Sequence, residues 1–393
     1  MTAVTTPEKI TIGFTPDVLA DLQRRLTHVR WAADFNNNDW GYGVDGTYLK
    51  SLVDYWANGF DWAAQAQTIN TLDHYRVVLD DVPVHYMVRK GKGPAPIPIV
   101  LTHGWPWTFW DFRSIIEPLA DPASHGGAPA DAFDVIVPSL PGFGFSVPLR
   151  SGVNYWQVAD LWHKLMTEVL GYRKFAAHGG DWGAIVTSQL SHKYAQDLYG
   201  IHVSMPVWPG LFTQARPYDL LGPLLPHLTA EQTASAIAVE RRVVSHITTQ
   251  MVDPQTLSYA MHDSPVGLLA WLLERWRAWS DCGGDVETRF SRDAMLTNAT
   301  IYWATESFVT SARFYAEAAR QPWRPSHTRQ PAFEAPAGVS LFRNDKTALF
   351  PDQSLSNYNM YFRAEHAAGG HFAAVEEPEA VVHDIRATFR DLR

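Results

Sequence analysis

The chain has 393 residues and carries 32 Lys/Arg against 41 Asp/Glu, a net charge of −9 with no basic cluster, which excludes a nucleic-acid partner. Apolar residues at 46% and charged residues at 19% describe one large or two moderate globular domains, not a disordered chain. Cys282 is the single cysteine, the N-terminus MTAVTTPEKITIGF shows no signal-peptide pattern, and apolar runs such as Val266–Leu273 are too short to span a bilayer. A soluble, cytoplasmic protein without a membrane anchor is therefore expected.

In chain order, Thr15-Pro16-Asp17 offers a helix cap, with Val18, Leu19, Leu22 and Leu26 following at helical spacing. Tyr48–Trp56 is a second helical run, and HYRVVLDDVPVHYMVR reads as two strands about Asp80-Asp81. Residues 1–97 are thus expected to form an N-terminal extension packing on the core.

From Pro98 onward, strands alternate with helices, which predicts an α/β fold with a mostly parallel sheet and crossover helices. The strands are Ile97–Thr102, Phe133–Pro138, Phe175–His178, Gly200–Val207 and Val339–Phe342, with a helix over Tyr155–Leu170 that stops at Gly171. Strand signals vanish between 208 and 320, which predicts a helical lid set into a core of 98–207 and 321–393. Val381, Val382, Ile385 and Phe389 place a last helix over Glu379–Leu392. Most of the 16 tryptophans are expected to fill the core.

The strand at Phe175 runs into HGGDWGA, which has the Gly-x-nucleophile-x-Gly spacing of a hydrolase elbow with Asp181 at the nucleophile position. An aspartate there can attack an electrophilic carbon, ligate a metal or cap the next helix. No HExxH, CxxC or tight His/Asp cluster accompanies it, so no metal and no cofactor is expected. His371 in GGHFAAVEEPE and Asp345 in SLFRND complete the order nucleophile, acid, histidine of α/β-hydrolase triads. Asn344 cannot serve as the acid, and Asp352 in FPDQS is a weaker candidate than Asp345. The turn His103-Gly104-Trp105-Pro106 falls where that template needs a backbone donor, so the N–H groups of Trp105 and Trp182 would form an oxyanion hole.

Taken together, HGWPWTFWDF, SLPGFGFS, HGGDWGA, HDSPVG, RFY and GGHFAAVEEPE resemble epoxide hydrolases of the microsomal type over nearly the whole chain. The resemblance implies an α/β-hydrolase core in which Asp181 opens the oxirane as an alkyl-enzyme ester. His371, oriented by Asp345, would activate water against that ester, and Tyr315 would protonate the departing oxygen. The family's second lid tyrosine falls here on His246, with Tyr259 and Tyr302 as substitutes if the register shifts. A His246/Tyr315 pair would make activity pH-dependent near neutrality. Trp107 and Trp110, beside the HGWP turn, are expected to bind a small apolar or aromatic epoxide, with water as the other reactant; assembly into a homo-oligomer stays open. A haloalkane dehalogenase and a non-catalytic binding protein of the same fold are the alternatives.

Overall fold

The computed structural model describes residues 4–219, 228–345 and 354–393. Its centre is a nine-stranded sheet: β1 (Glu8–Ile10), β2 (Asp73–Leu79), β3 (Val82–Arg89), β4 (Ile97–Thr102), β5 (Phe133–Pro138), β6 (Phe175–Gly179), β7 (Leu198–Val203), β8 (Phe333–Phe342) and β9 (Tyr358–His366). The spatial order is β1-β2-β3-β5-β4-β6-β7-β8-β9. Pairings from β1 to β5 through β3 are antiparallel, and the rest are parallel. Every residue of β4 and β6 is buried, as expected of strands covered on both faces.

The N-terminal segment does more than pack on this core: β1–β3 extend the sheet itself. Asp80 and Asp81 both take positive φ (49° and 65°), which suits the two-residue turn joining β2 to β3. Before β2 lie α1 (Pro16–Thr27), α2 (Gly46–Asn58) and α3 (Trp62–Ile69). The Thr15 side chain makes no capping bond, whereas Asp45 caps α2 through the Tyr48 N–H. Two strands differ from expectation. β7 ends at Val203, and β8 begins six residues before Val339.

The crossover helices α4 (Arg113–Ala120), α5 (Tyr155–Lys164) and α6 (Trp182–Lys193) cover the sheet, and α6 is buried along nearly its whole length. Between β7 and β8 come α7 (Ala230–Val252), α8 (Pro254–Asp263), α9 (Pro265–Trp279), α10 (Arg292–Ala304) and α11 (Phe308–Arg320). Of these, α7 and α11 bring Val243, His246, Ile247 and Tyr315 over the turns that follow β6 and β7, where open α/β sheets place their sites. The chain closes with α12 (Ala373–Glu376) and α13 (Pro378–Phe389). No helix among the described residues is long and apolar enough to cross a membrane.

Candidate active site

Asp181 sits between β6 and α6 with φ 52° and ψ −128°, a backbone state that a non-glycine residue adopts only under local constraint. The flanking glycines make the turn possible. A Cβ on Gly183 would lie 1.8 Å from the Thr102 carbonyl oxygen, and one on Gly179 would lie 2.3 Å from the Gly183 backbone. Gly104 lets the neighbouring loop approach, because a Cβ there would meet the Asp181 side chain at 2.2 Å. The Trp105 N–H consequently donates to Asp181 Oδ1 at 2.8 Å.

That loop is itself braced. Leu140 N–H donates to His103 Nε2, which leaves His103 Nδ1 to donate to the Gly104 carbonyl at 2.9 Å. Burial holds the His103 ring neutral, with a pKa of about 4.

His371 lies with Nε2 3.4 Å from Asp181 Oδ2 and Nδ1 3.4 Å from Asp345 Oδ1. The imidazole and the Asp345 carboxylate are nearly sealed from solvent, at 1% and 3% exposure, while Asp181 keeps 18%. Burial alone would lower the pKa of His371. The two carboxylates outweigh it and raise the value to about 10. Asp352 lies outside the described residues.

Over these ions lies a narrow cavity, with about 80 Å³ of open space, lined by Asp181, Trp182, Ile185, residues 205–208, Leu211, Phe212, Val243, His246, Ile247, Trp279 and Tyr315. Tyr315 packs edge-on to Trp182, ring centroids 4.7 Å apart, and to Trp105 at 5.9 Å. His246 stacks on Trp105 at 5.2 Å and meets Tyr315 edge-on at 5.4 Å, so the lid places the two proposed donors side by side. Tyr259 is 72% exposed, and the Tyr302 hydroxyl donates to the Trp107 carbonyl at 2.8 Å. Neither lines the cavity, whereas His246 does.

Three expectations need correction. Burial, reinforced by the Arg275 charge, holds the His246 pKa well below its usual range, so its ring is neutral across the neutral pH range and supplies no titration there. Trp107 lies behind the site, 5.6 Å from the His371 ring and 5.4 Å from Phe372, rather than in the cavity lining. Trp110 is buried in a short helical turn whose start is capped by Thr108 and Asp111, which directs it into the core. Trp279 and the segment from Met205 to Phe212 take the place assigned to them. Trp279 stands 5.4 Å from the His371 ring and 4.7 Å from that of His246.

Burial, and then the Asp181 charge, push the Tyr315 phenol well above its ordinary pKa, so it is a protonated donor. A broader surface groove, about 810 Å³ and lined in part by Arg24, Arg30, Trp31 and Lys50, touches none of the triad residues.

Residues 7–112 match the family model described as the epoxide hydrolase N terminus, and residues 97–224 match that of the alpha/beta hydrolase fold. A Stigmatella aurantiaca protein bearing an epoxide hydrolase name is 38% identical, with 99% of this chain and 85% of that protein aligned. Epoxide hydrolase 1 of Oryctolagus cuniculus is 31% identical over 93% of this chain and 84% of its own length. The crystal structure of juvenile hormone epoxide hydrolase from Bombyx mori superimposes with a TM-score of 0.82 at 25% identity, covering 99% of this chain and 95% of that one. These relatives favour an epoxide hydrolase over a dehalogenase or a non-catalytic protein of the same fold. With an α/β-hydrolase sheet, an aspartate at its elbow and relatives matched from end to end, the chain belongs to the epoxide hydrolase family.

Proposed function

We propose that this enzyme hydrolyses a small apolar or aromatic epoxide to a vicinal diol in two steps, through an ester on Asp181. The observation that carries the reading is the pair of constraints on one carboxylate. Oδ1 is held by the Trp105 N–H at 2.8 Å, and Oδ2 faces His371 Nε2 at 3.4 Å. Oδ2 attacks a ring carbon and the C–O bond breaks. Tyr315 gives its proton to the departing oxygen while the neutral His246 ring donates a hydrogen bond to it.

Esterification removes the Asp181 charge, one of the two that hold His371 protonated. The imidazolium proton then restores the Tyr315 phenol, and the neutral ring, oriented by Asp345, takes a proton from water. Hydroxide attacks the ester carbonyl, whose developing charge on Oδ1 is met by the N–H groups of Trp105 and Trp182. Collapse releases the diol and restores Asp181 and protonated His371, with water as the only co-reactant.

The lining supports this substrate class: apart from Asp181, the described lining residues present apolar and aromatic surface with His246 and Tyr315 as polar groups. We read the enzyme as cytoplasmic, consistent with its one buried thiol, Cys282. The test is His371→Ala with a styrene-type epoxide, followed by intact-mass measurement. The expected result is an adduct equal to protein plus epoxide, mapping to Asp181. A folded variant that stays unmodified, with an epoxide the unaltered enzyme turns over, rejects the covalent mechanism.

A further inference from the structure

His371 belongs to a loop rather than a helix or strand, yet both ring nitrogens must face carboxylates at 3.4 Å. Something must hold that loop. Four successive backbone N–H groups along it are occupied, and the acceptors come from two places only. Gly370 N–H donates to Glu376 Oε2 at 3.0 Å, and Phe372 N–H donates to Glu376 Oε1 at 2.9 Å. His371 N–H donates to the Trp279 carbonyl at 3.0 Å, and Gly369 N–H to Asp281 Oδ2 at 3.0 Å.

Glu376 also joins those two places, because its Oε2 accepts the Asp281 N–H at 2.6 Å. Trp279 to Asp281 is the segment that follows lid helix α9. A Cβ on Gly370 would lie 2.7 Å from both the Asp281 nitrogen and the Trp279 oxygen, so the two segments are in direct backbone contact. Arg289 fastens the outside of the joint, donating to the Asp281 carbonyl at 2.8 Å and to Glu377 Oε1 at 3.0 Å. Glu376 is 6% exposed, so these bonds act with little competition from water. Burial raises its pKa, and the N–H groups of Asp281 and Phe372 oppose that rise.

We propose that Glu376 is a positioning residue for the base: by clipping the peptide groups on both sides of His371 to the lid segment at Asp281, it sets the imidazole for ester hydrolysis and leaves alkylation untouched. This rests on the two-step reading above. Alkylation needs Asp181 and the lid donors, both held by other contacts. Hydrolysis needs the imidazole, a water and the ester carbon in line, and errors of an ångström in such geometry cost about a hundredfold.

The test uses the full chain with Glu376→Gln and Glu376→Ala, resolving formation and decay of the styrene oxide adduct by rapid-quench mass spectrometry. Glutamine keeps the size but offers one acceptor oxygen for three donors. Adduct decay should slow about tenfold in Glu376→Gln and about a hundredfold in Glu376→Ala, with formation changed by less than about twofold. The adduct should accumulate in both variants. Decay at the unaltered rate, or formation and decay slowed by the same factor, overturns the proposal. So does a glutamine variant that fails to fold, because the carboxylate would then serve stability alone. Absence of an adduct even in His371→Ala is a different outcome, which rejects the two-step reading itself.

Discussion

On the sheet side of the cavity the reacting groups are ions. Asp181 and Asp345 each lie 3.4 Å from a His371 ring nitrogen, and the Asp181 elbow is held in a backbone state that a non-glycine residue rarely adopts. On the lid side the groups are neutral and aromatic. Tyr315 is pushed toward its protonated form, His246 toward its unprotonated one, and both are held by ring packing against Trp105 and each other. The difference separates two tasks. Ions supply the nucleophile and the base, which must change charge during the cycle. Neutral donors meet an alkoxide that exists only as the ring opens, and a permanent lid cation would instead pair with Asp181 before any substrate arrived.

Tyr315→Phe tests that division most severely. It keeps the ring packing and removes the proton, so adduct formation should fall by about 10²- to 10⁴-fold while decay of any adduct that forms stays near its normal rate. Rapid-quench measurement of both phases distinguishes them. A slowed decay with normal formation would place Tyr315 in the hydrolytic half and dissolve the comparison.

His246→Phe should have a smaller effect, about tenfold on formation, because one hydrogen bond is lost while Tyr315 still supplies the proton. His246→Tyr should retain much of the rate. The neutral ring carries a sharper expectation: between pH 6 and 8, the formation rates of the unaltered enzyme and His246→Phe should run parallel. Divergence across that range would mean that His246 titrates there, and the lid donors could no longer both be described as neutral.

The two halves also differed in how far the sequence disclosed them. HGGDWGA was legible because the elbow admits almost no alternatives at Gly179 and Gly183, where a side chain would collide with backbone. His246 is legible only through its spacing from HDSPVG, since a buried histidine in a helix has no pattern of its own. Trp107 and Trp110 show that proximity in sequence to Trp105 does not fix direction: Trp107 packs against Phe372, and the turn capped by Thr108 carries Trp110 into the core. Met205 to Phe212 carry no signal, because their place depends on where β7 ends. β9 was missed because most of its residues are exposed or half-buried, which removes the apolar run that marks an inner strand. Glu376 lies within GGHFAAVEEPE, but its role is hidden in the sequence because one of its partners, Asp281, is distant along the chain.

The last expected effect concerns stability, and it tests whether the resting site is ionic at all. The folded-state pKa of His371, about 10, lies above the ordinary 6.5. A group raised on folding binds its proton more tightly in the native state, so its stabilising contribution is complete below about pH 6.5 and disappears as pH climbs through about 10. Other groups titrate in that window too, so the informative quantity is the difference between the unaltered enzyme and His371→Gln in urea unfolding. Packing losses in the variant shift that difference by a constant, whereas the charge contribution, about a few kcal/mol, should fade between pH 6.5 and 10. A difference that stays flat would mean that His371 is already neutral beside two carboxylates. The base would then need no release by esterification of Asp181, and the contrast between an ionic sheet side and a neutral lid side would rest on Asp181 and Asp345 alone.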